Sequence, residues 1–301
     1  MLSRFKLGIK RAISSILRLI RDNLQSTGIG NWGPAKYVYG RLINMLRDGS
    51  GGPVRVLGHR MFLDRFDSLS LSVVGRHEQC ITELVQQIIK PGDIVLDIGA
   101  NIGYYTLIFA RCVGPTGHVY AFEPDPGSFA LLQKNVQING YKNVTLEHQA
   151  VSDRPGILRL FLANNPGDHR TYDSKDNRNY IEVNATDLDS YLPDINVNFI
   201  KMDIQGAEHM ALKGMKKLIN RSDSVKIITE FWPFGLCLAG SGPDEYLAAL
   251  IDAGFELRLI DGTARKVQSI AIEDLARMYD ASKDEWSSDL LCQKYCRQLG
   301  V

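Results

Sequence analysis

The feature that most constrains the fold is a glycine turn between a strand-like and a helix-like run, in the stretch VLDIGANIGYYTLIFA from Val95 to Ala110. Gly99 and Gly103 let the chain turn sharply, and they let a ligand approach the backbone without obstruction by a Cβ atom. The amides that open the following helix suit an anionic group. In α/β folds, ligands bind beyond the carboxyl ends of parallel strands, so this turn is the first place to expect a site.

Strand-like and helix-like segments alternate along the rest of the chain, which predicts a mostly parallel sheet with helices on both faces. A short strand pair around Gly58 comes before them, and a helix that ends before Pro91 leads into the first sheet strand. The polar segment 164–179 is expected to be a mobile surface loop that serves as a lid or contacts a substrate. The predicted strands are 94–98, 118–122, 144–151, 156–163, 199–202, 225–229, 255–260 and 289–295. The predicted helices are 103–113, 125–139, 207–220, 243–252 and 272–278.

The N-terminus differs in composition from the rest of the chain. Residues 1–24 place apolar side chains on one helical face and six basic residues around them, with a single acid, Asp22. Charges interrupt the run too often for a membrane span. Such a basic amphipathic helix can lie on an anionic membrane surface, or it can pack on the domain or on a partner subunit. We therefore predict a helical arm over 1–52 and one α/β domain over 53–301.

Overall charge and cysteine usage narrow the class of protein. The formal net charge is +1 over 301 residues, which argues against nucleic acid as a partner. The five cysteines are scattered and form no CxxC pair, which favours a reducing, cytoplasmic compartment. No metal site is predicted.

The spacing of acids and glycines selects the ligand. A dinucleotide site reads G-x-G-x-x-G, whereas DIGANIG places Asp97 just ahead of the glycines, where it would repel a pyrophosphate. Glu123 ends the second strand, where an acid can accept hydrogen bonds from both ribose hydroxyls. An adenosine that carries an amino acid and a positive sulfur satisfies both acids. The sequence therefore predicts S-adenosylmethionine as the cofactor.

Several separated motifs, in one order, resemble the FkbM-type methyltransferases. They include KPGDIVLDIGANIGYYTLIFA, GHVYAFEPDPGSFALLQKNVQIN, QAVSD, ATDLDSYL and FIKMDIQGAEHMALKGM, and the match runs from Gly58 to Pro233. The resemblance implies a seven-stranded Rossmann-like sheet, the class I methyltransferase fold. It also implies methyl transfer, usually to a hydroxyl of a sugar, polyketide or similar metabolite.

The resemblance assigns roles to the residues that match the family motifs. Asp97, Gly99, Asn101 and Gly103 would line the methionine half of the cofactor, and Glu123 the ribose. Ala150 and Val151 would form the adenine wall, with Ser152 and Asp153 near the exocyclic amine. Glu78 matches an upstream acid of the family. The full predicted cofactor set is Glu78, Asp97, Gly99, Ala100, Asn101, Gly103, Tyr104, Glu123, Pro124, Ala150, Val151 and Ser152.

The segment DIQGAEH, after the strand 199–202, is where an acceptor should meet the methyl group. An alcohol is a weak nucleophile and benefits from a general base. Asp203, Glu230 and His209 are the predicted catalytic residues, with Glu208 nearby. Each has a plainer reading: a helix cap for Asp203, an ion pair with Lys201 or Lys226 for Glu230, and a helix surface position for His209. Relatives usually carry Glu where this chain has Gln205.

The predicted function is O-methylation of a small metabolite, a glycan or a lipid-linked sugar. Alternatives are methylation of nitrogen or carbon, a binding protein that kept the cofactor fold, and a nicotinamide oxidoreductase. The loop typical of amino-group methylases is missing after 199–202, and the third dinucleotide glycine is missing as well. We expect a cytoplasmic protein that contacts the inner face of a membrane if residues 1–24 bind lipid. The acceptor and the oligomeric state are not encoded in a readable pattern.

Overall fold

The computed structural model describes residues 52–65, 67–69, 71–279 and 286–294. The predicted N-terminal helix lies outside these residues, as do Tyr295 and Cys296. The chain divides into two compact units, Met1–His77 and Glu78–Val301. The predicted boundary at residues 52 and 53 stays a prediction.

Thirteen strands are present in the described residues. In chain order they are β1 (Val54–Val56), β2 (His59–Met61), β3 (Ile94–Ile98), β4 (His118–Phe122), β5 (Val144–Glu147), β6 (Ala150–Val151), β7 (Gly156–Phe161), β8 (Tyr180–Thr186), β9 (Phe199–Met202), β10 (Lys226–Phe231), β11 (Phe255–Asp261), β12 (Lys266–Ser269) and β13 (Ser288–Lys294).

Ten α-helices join them in the same residues. They are α1 (Leu71–Val74), α2 (Gln79–Ile88), α3 (Tyr104–Val113), α4 (Pro126–Asn139), α5 (Leu188–Tyr191), α6 (Glu208–Lys213), α7 (Lys216–Arg221), α8 (Pro233–Leu238), α9 (Pro243–Asp252) and α10 (Ile272–Arg277). A 3₁₀ turn covers Pro166–Asp168.

The described part of the first unit contains the predicted strand pair. β1 and β2 pair antiparallel around a turn in which Leu57 and Gly58 both have positive φ. Asp67 then accepts hydrogen bonds from the amides of Leu71 (2.8 Å) and Ser72 (3.0 Å), and so caps the start of α1.

The second unit is built on an eight-stranded sheet in the order β12-β11-β13-β10-β9-β3-β4-β5. β13 runs antiparallel to β10 and β11, and the strands from β10 to β5 are parallel. Because parallel crossovers are right-handed, helices that precede and follow the reversal of strand order lie on opposite faces. The predicted class I methyltransferase fold is confirmed, and its sheet gains an eighth strand, β12, as a hairpin partner of β11.

The central strands are apolar because they are covered on both faces. Leu96 and Ile98 of β3, with Ile200 and Met202 of β9, are at most 1% exposed. The helices α6, α7 and α9 contribute Leu212, Leu218 and Leu250 to the same core. The apolar runs that predicted these strands are therefore the centre of the fold.

The region after β5 differs from the prediction. The strand expected over 144–151 is two strands, because β5 belongs to the main sheet and β6 to a separate three-stranded sheet, β6-β8-β7. β8 was missed, since its alternating side chains follow the long polar segment. The helix expected over 207–220 is also two helices, α6 and α7, divided at Gly214 and Met215. A Cβ atom on Gly214 would lie 1.9 Å from the Ser152 carbonyl oxygen, so the small sheet packs closely at that break.

Candidate functional site

The site lies where the strand order reverses, between β3 and β9. β3 leads to β4 and β5 on one side, and β9 leads to β10 on the other. The carboxyl ends of β3, β4, β9 and β10 meet there. Asp97, Glu123, Asp203 and Glu230 all stand at or just beyond these strand ends, which is the position at which doubly wound sheets bind ligands.

The turn after β3 needs its glycines. Gly99 has φ 83°, and a Cβ atom there would lie 2.1 Å from the carbonyl oxygen of Asp203. Gly103 has φ 90°, and its Cβ atom would lie 2.6 Å from Leu132 Cδ1 on α4. Asn101, between them, also has a positive φ of 50°. The turn therefore packs tightly against β9 on one side and α4 on the other, and its backbone faces the strand ends.

Glu123 is tied to this turn. Its two carboxylate oxygens accept hydrogen bonds from the amides of Asn101 (2.7 Å) and Asp125 (2.8 Å). Burial raises the pKa of Glu123 to about 7, although both amide hydrogen bonds act to lower it. Each carboxylate oxygen has a second lone pair, so the group can still accept two hydroxyl hydrogen bonds.

Asp97 is 2% exposed and points toward the start of α3. The Thr106 hydroxyl donates a hydrogen bond of 2.5 Å to Asp97 Oδ2. Burial raises the pKa of Asp97 to about 6, while the Thr106 bond and the charge of Lys201 act to lower it. The acid thus has one oxygen engaged by the protein and a preference for a cationic neighbour.

The upstream acid Glu78 is joined to the start of α3. The Tyr105 hydroxyl donates to Glu78 Oε2 over 2.7 Å, and the Tyr104 hydroxyl shares a hydrogen bond of 2.9 Å with Thr82 of α2. The Lys201 ammonium lies 4.7 Å from the centre of the Tyr105 ring. Glu78 is thereby brought toward Asp97 and Lys201, although it lies far from both in the sequence.

The predicted adenine-side residues come together at β6. Ala150, Val151 and Ser152 are all at most 6% exposed. Ser152 and Asp153 line a cavity of about 260 Å³ together with Tyr172 and with Met210 of α6. Pro124 is half-buried, and its carbonyl oxygen lies 3.1 Å from His148 Nε2. The cavity thus opens beside the predicted adenine wall.

Strand register places five charged side chains on one face of the sheet. Asp97 pairs with Lys201 across β3 and β9, and Glu230 pairs with Asp289 across β10 and β13. Asp203 lies two residues beyond Lys201 and, through the pairing of Met202 with Thr229, is level with Glu230. A charged row therefore crosses four strands at their functional end.

Lys201 is the cation of this row and is 4% exposed. Its Nζ lies 3.1 Å from Asp203 Oδ2. Burial acts to lower the pKa of Lys201, but the negative charges of Asp203, Glu78, Asp289 and Asp97 outweigh it, and the pKa is raised. The ammonium therefore stays charged and offsets part of the negative charge of this row.

Asp203 and Glu230 are joined by Gln205. The Gln205 Nε2 atom lies 3.1 Å from Asp203 Oδ1 and 3.3 Å from Glu230 Oε2. Burial, followed by the charges of Asp203 and Glu208, raises the pKa of Glu230 well above its ordinary range. Asp203 keeps 32% of its side chain exposed, and Glu230 is partly exposed as well.

The structure brings Glu208 to the acidic row but takes His209 elsewhere. Glu208 is fully buried at the start of α6, and its carboxylate accepts a hydrogen bond of 2.9 Å from the backbone amide of Ile204. Burial raises the pKa of Glu208 to about 7. His209 lines a separate cavity of about 220 Å³ with Lys213 and Lys216. Burial and these two lysines lower its pKa. The predicted grouping of His209 with Asp203 and Glu230 is not formed, because successive residues on a helix point about 100° apart.

The polar insert 164–179 covers the loop after β9. The Tyr172 hydroxyl donates a hydrogen bond of 2.6 Å to the carbonyl oxygen of Gln205. The Arg170 guanidinium lies 4.7 Å from the centre of the Trp232 ring. Such a position fits the expected role of the insert as a contact for the acceptor, which stays a prediction.

Three residues of the site were missed from the sequence. Lys201 interrupts an apolar strand with a charge, which is a usable signal, since charged residues are rarely buried unless they are paired. Tyr105 and Asp289 carried no comparable signal, because only the packing of α3 and the register of β13 place them here. Among the described residues, no three His, Cys, Asp or Glu side chains are grouped so that they could hold a metal ion.

Comparison with known proteins agrees with this geometry. Residues 97–257 match the family described as methyltransferase FkbM domain. The 31-O-demethyl-FK506 methyltransferase FkbM of Streptomyces tacrolimicus is 40% identical over 72 residues, which are 24% of this chain and 27% of that protein. Methyltransferase 1 of Beauveria bassiana is 26% identical over 144 residues, 40% of this chain and 57% of that protein. The chain thus matches about a quarter of the first relative's length and somewhat over half of the second's.

A solved SAM-dependent O-methyltransferase from Thermotoga maritima is 15% identical, with a TM-score of 0.42, and the match covers 86% of this chain and 83% of that one. A solved rRNA methylase from Streptococcus thermophilus is 13% identical, with a TM-score of 0.41, and the match covers 72% of this chain and 95% of that one. Likeness at this level has no bearing on the acceptor. The family match covers more than half of the chain and includes the turn after β3, Glu123 and the acidic end of β9. The chain therefore belongs to the FkbM methyltransferase family, whose methyl donor is S-adenosylmethionine.

Proposed function

We propose that the protein transfers a methyl group from S-adenosylmethionine to a hydroxyl of a small metabolite, a glycan or a lipid-linked sugar. The observation that carries the proposal is the meeting of two sets of acids at the reversal of strand order. Asp97 and Glu123 suit the cofactor, and Asp203 and Glu230 stand on the adjacent strands, where an acceptor would be held.

The residues present fit the cofactor. The second lone pairs of the Glu123 carboxylate can accept the ribose hydroxyls, and Asp97 suits the ammonium of the methionine part. The Asn101 Oδ1 atom is buried and has no hydrogen-bond partner among the described residues, so it is an acceptor that a bound amino group can satisfy. Ala150, Val151 and Ser152 supply a buried wall for the adenine.

S-adenosylmethionine supplies a methyl group activated by a positive sulfur. The protein has to hold the acceptor hydroxyl in line and remove its proton as the oxygen–carbon bond forms and the carbon–sulfur bond breaks. Asp203 is partly exposed, and both of its oxygens are held, by Lys201 and Gln205. We assign to Asp203 the role of general base, and to Glu230 the role of a neighbour that orients the acceptor.

Calorimetry with S-adenosylhomocysteine tests the cofactor half of the proposal. We expect micromolar binding that is lost in Asp97→Ala and Glu123→Ala and kept in Asp223→Asn, which changes an exposed acid. Binding of NAD in its place would support the oxidoreductase alternative and overturn the proposal.

A screen of hydroxylated acceptors with methyl-labelled cofactor tests the acceptor half. Label in an ether product supports O-methylation, and label on an amine or on carbon would replace it with the first alternative. Tight binding of S-adenosylhomocysteine without transfer to any acceptor class would favour a binding protein.

The four free thiols of the described residues, Cys80, Cys112, Cys237 and Cys292, support the proposed cytoplasmic location.

A further inference from the structure

The side chain of Gln205 occupies an unusual position between two acids. Its Nε2 atom is within hydrogen-bond distance of Asp203 Oδ1 (3.1 Å) and of Glu230 Oε2 (3.3 Å). A primary amide carries two N–H donors on one nitrogen, and the carboxyl oxygens that face it can accept hydrogen bonds. The nitrogen end of the amide is therefore matched to this pair of acids.

The backbone fixes the direction of this side chain. Gln205 has φ 57° and Gly206 has φ 99°, so the turn is left-handed at two successive residues. The Tyr172 hydroxyl holds the Gln205 carbonyl oxygen from one side. On the other side, a Cβ atom on Gly206 would lie 2.6 Å from the carbonyl carbon and oxygen of Gly235. The amide is placed between the acids by a turn that has little room to move.

Charged groups surround this pair of acids. The Lys201 ammonium reaches the other oxygen of Asp203, over 3.1 Å. Burial and the charges of Asp203 and Glu208 raise the pKa of Glu230. Two adjacent carboxylates are usually held together by a proton, a cation or hydrogen-bond donors. Here an uncharged donor takes that role.

We propose that the Gln205 amide holds Asp203 and Glu230 together in place of a cation, and so makes the acceptor site independent of a divalent metal. A glutamate at this position would place a third carboxylate directly against Asp203 and Glu230, and carboxylates are the oxygen donors that Mg²⁺, Mn²⁺ and Ca²⁺ prefer. Gln205 is on this account a positioning residue. The inference rests on the proposed function only in identifying this pair as part of the acceptor site.

The test compares the full-length wild-type protein with Gln205→Glu, with the exchange variant Gln205→Glu/Glu230→Gln, and with Gln133→Glu. Gln133 is exposed on α4, so the substitution Gln133→Glu adds the same negative charge at a position away from the acids. Mn²⁺ binding is followed by electron paramagnetic resonance, and thermal unfolding is recorded in EDTA and in MnCl₂. Neither measurement needs methyl transfer, and S-adenosylhomocysteine binding reports separately on the proposed function.

We expect Gln205→Glu to bind one Mn²⁺ per chain at least about tenfold more tightly than the wild type or Gln133→Glu. Its Tm in EDTA should be lowered, and Mn²⁺ should restore it. The exchange variant has a carboxylate at position 205 and an amide at position 230, so the total charge and the number of amides are those of the wild type. Its Tm in EDTA should therefore return toward the wild-type value. Equal Mn²⁺ binding by the wild type and Gln205→Glu would overturn the proposal. If Gln205→Glu does not fold, the exchange variant decides, and an exchange variant that also fails to fold would count against it.

Discussion

At the scale of single residues, the site depends on carboxyl groups that the fold buries. Burial raises the pKa of Asp97 to about 6 and that of Glu123 to about 7. Both acids make hydrogen bonds within the protein, and both have oxygen lone pairs left for a ligand. A cationic, hydroxyl-bearing ligand would therefore be bound best when these groups are ionised.

These pKa shifts predict a pH dependence of opposite sign for stability and for cofactor binding. The folded protein binds protons at Asp97 and Glu123 more tightly than the unfolded chain, so the free energy of unfolding without ligand should fall as the pH rises from about 4 through 7. Binding of S-adenosylhomocysteine should instead strengthen, because at pH 5 only about one Asp97 carboxyl in ten is ionised. Calorimetry should give a Kd at least about tenfold larger at pH 5 than at pH 8, since ionisation of Glu123 can only add to the effect of Asp97.

The variant Asp97→Asn tests the origin of this effect. Its affinity should be low and should depend less on pH than that of the wild type. If the wild-type Kd were constant between pH 5 and pH 8, ionisation of these acids would have no part in binding.

Asp203 should affect the chemical step more than binding. Asp203→Asn keeps the shape and can still accept a hydrogen bond from Gln205 or Lys201, but it cannot take a proton. We expect turnover to fall by about 10²–10⁴-fold, with S-adenosylhomocysteine affinity changed by less than about threefold. Single-turnover transfer of labelled methyl and calorimetry measure the two quantities. A loss of equal size in both would indicate a structural role for Asp203.

At the scale of elements, the sequence located strands better than connections. β3, β4 and β9 begin and end as predicted, because their apolar runs are buried on both faces. The predicted strand 144–151 and helix 207–220 are each divided in two, because β6 joins β8 instead of the main sheet and α6 ends where Gly214 meets Ser152. These divisions are set by packing partners distant in the sequence.

The insert 164–179 is anchored to the loop after β9 through Tyr172. Tyr172→Phe removes the hydrogen bond of 2.6 Å to the Gln205 carbonyl oxygen and leaves the ring in place. We expect a loss of about 1 kcal/mol in the free energy of unfolding, measured by urea denaturation, and faster proteolysis within the insert. Tyr180→Phe, at a ring that is 47% exposed, is the matched control and should change neither. Equal proteolysis of both variants would show that the hydroxyl does not anchor the insert.

At the level of the whole chain, the distribution of charge bears on contact with a membrane. No helix among the described residues is long and apolar enough to cross a membrane. The net charge of +1 hides the basic composition of residues 1–24. Membrane contact through that segment remains a prediction from its amphipathic pattern.

Vesicle co-sedimentation tests the membrane prediction. The full chain should bind vesicles that contain phosphatidylserine and should bind neutral phosphatidylcholine vesicles weakly. Replacing Lys6, Lys10 and Arg11 by Gln should remove most of the binding, by about 1 kcal/mol per charge. The same substitutions should leave S-adenosylhomocysteine affinity unchanged. If the wild type and the substituted chain sedimented equally, the segment would have another role.

The fold class, the turn after β3 and the predicted cofactor could be read along the chain, because these depend on short-range patterns. An apolar run, an acid, two glycines and a second acid at the next strand end are all readable along the chain. Which charged groups meet at the carboxyl ends of the strands could be seen only in the folded protein. Strand register brings Asp97, Lys201, Asp203, Glu230 and Asp289 to one face, and helix geometry turns His209 away from them. Such a site is held by contacts between residues far apart in the chain, and no local pattern records those contacts.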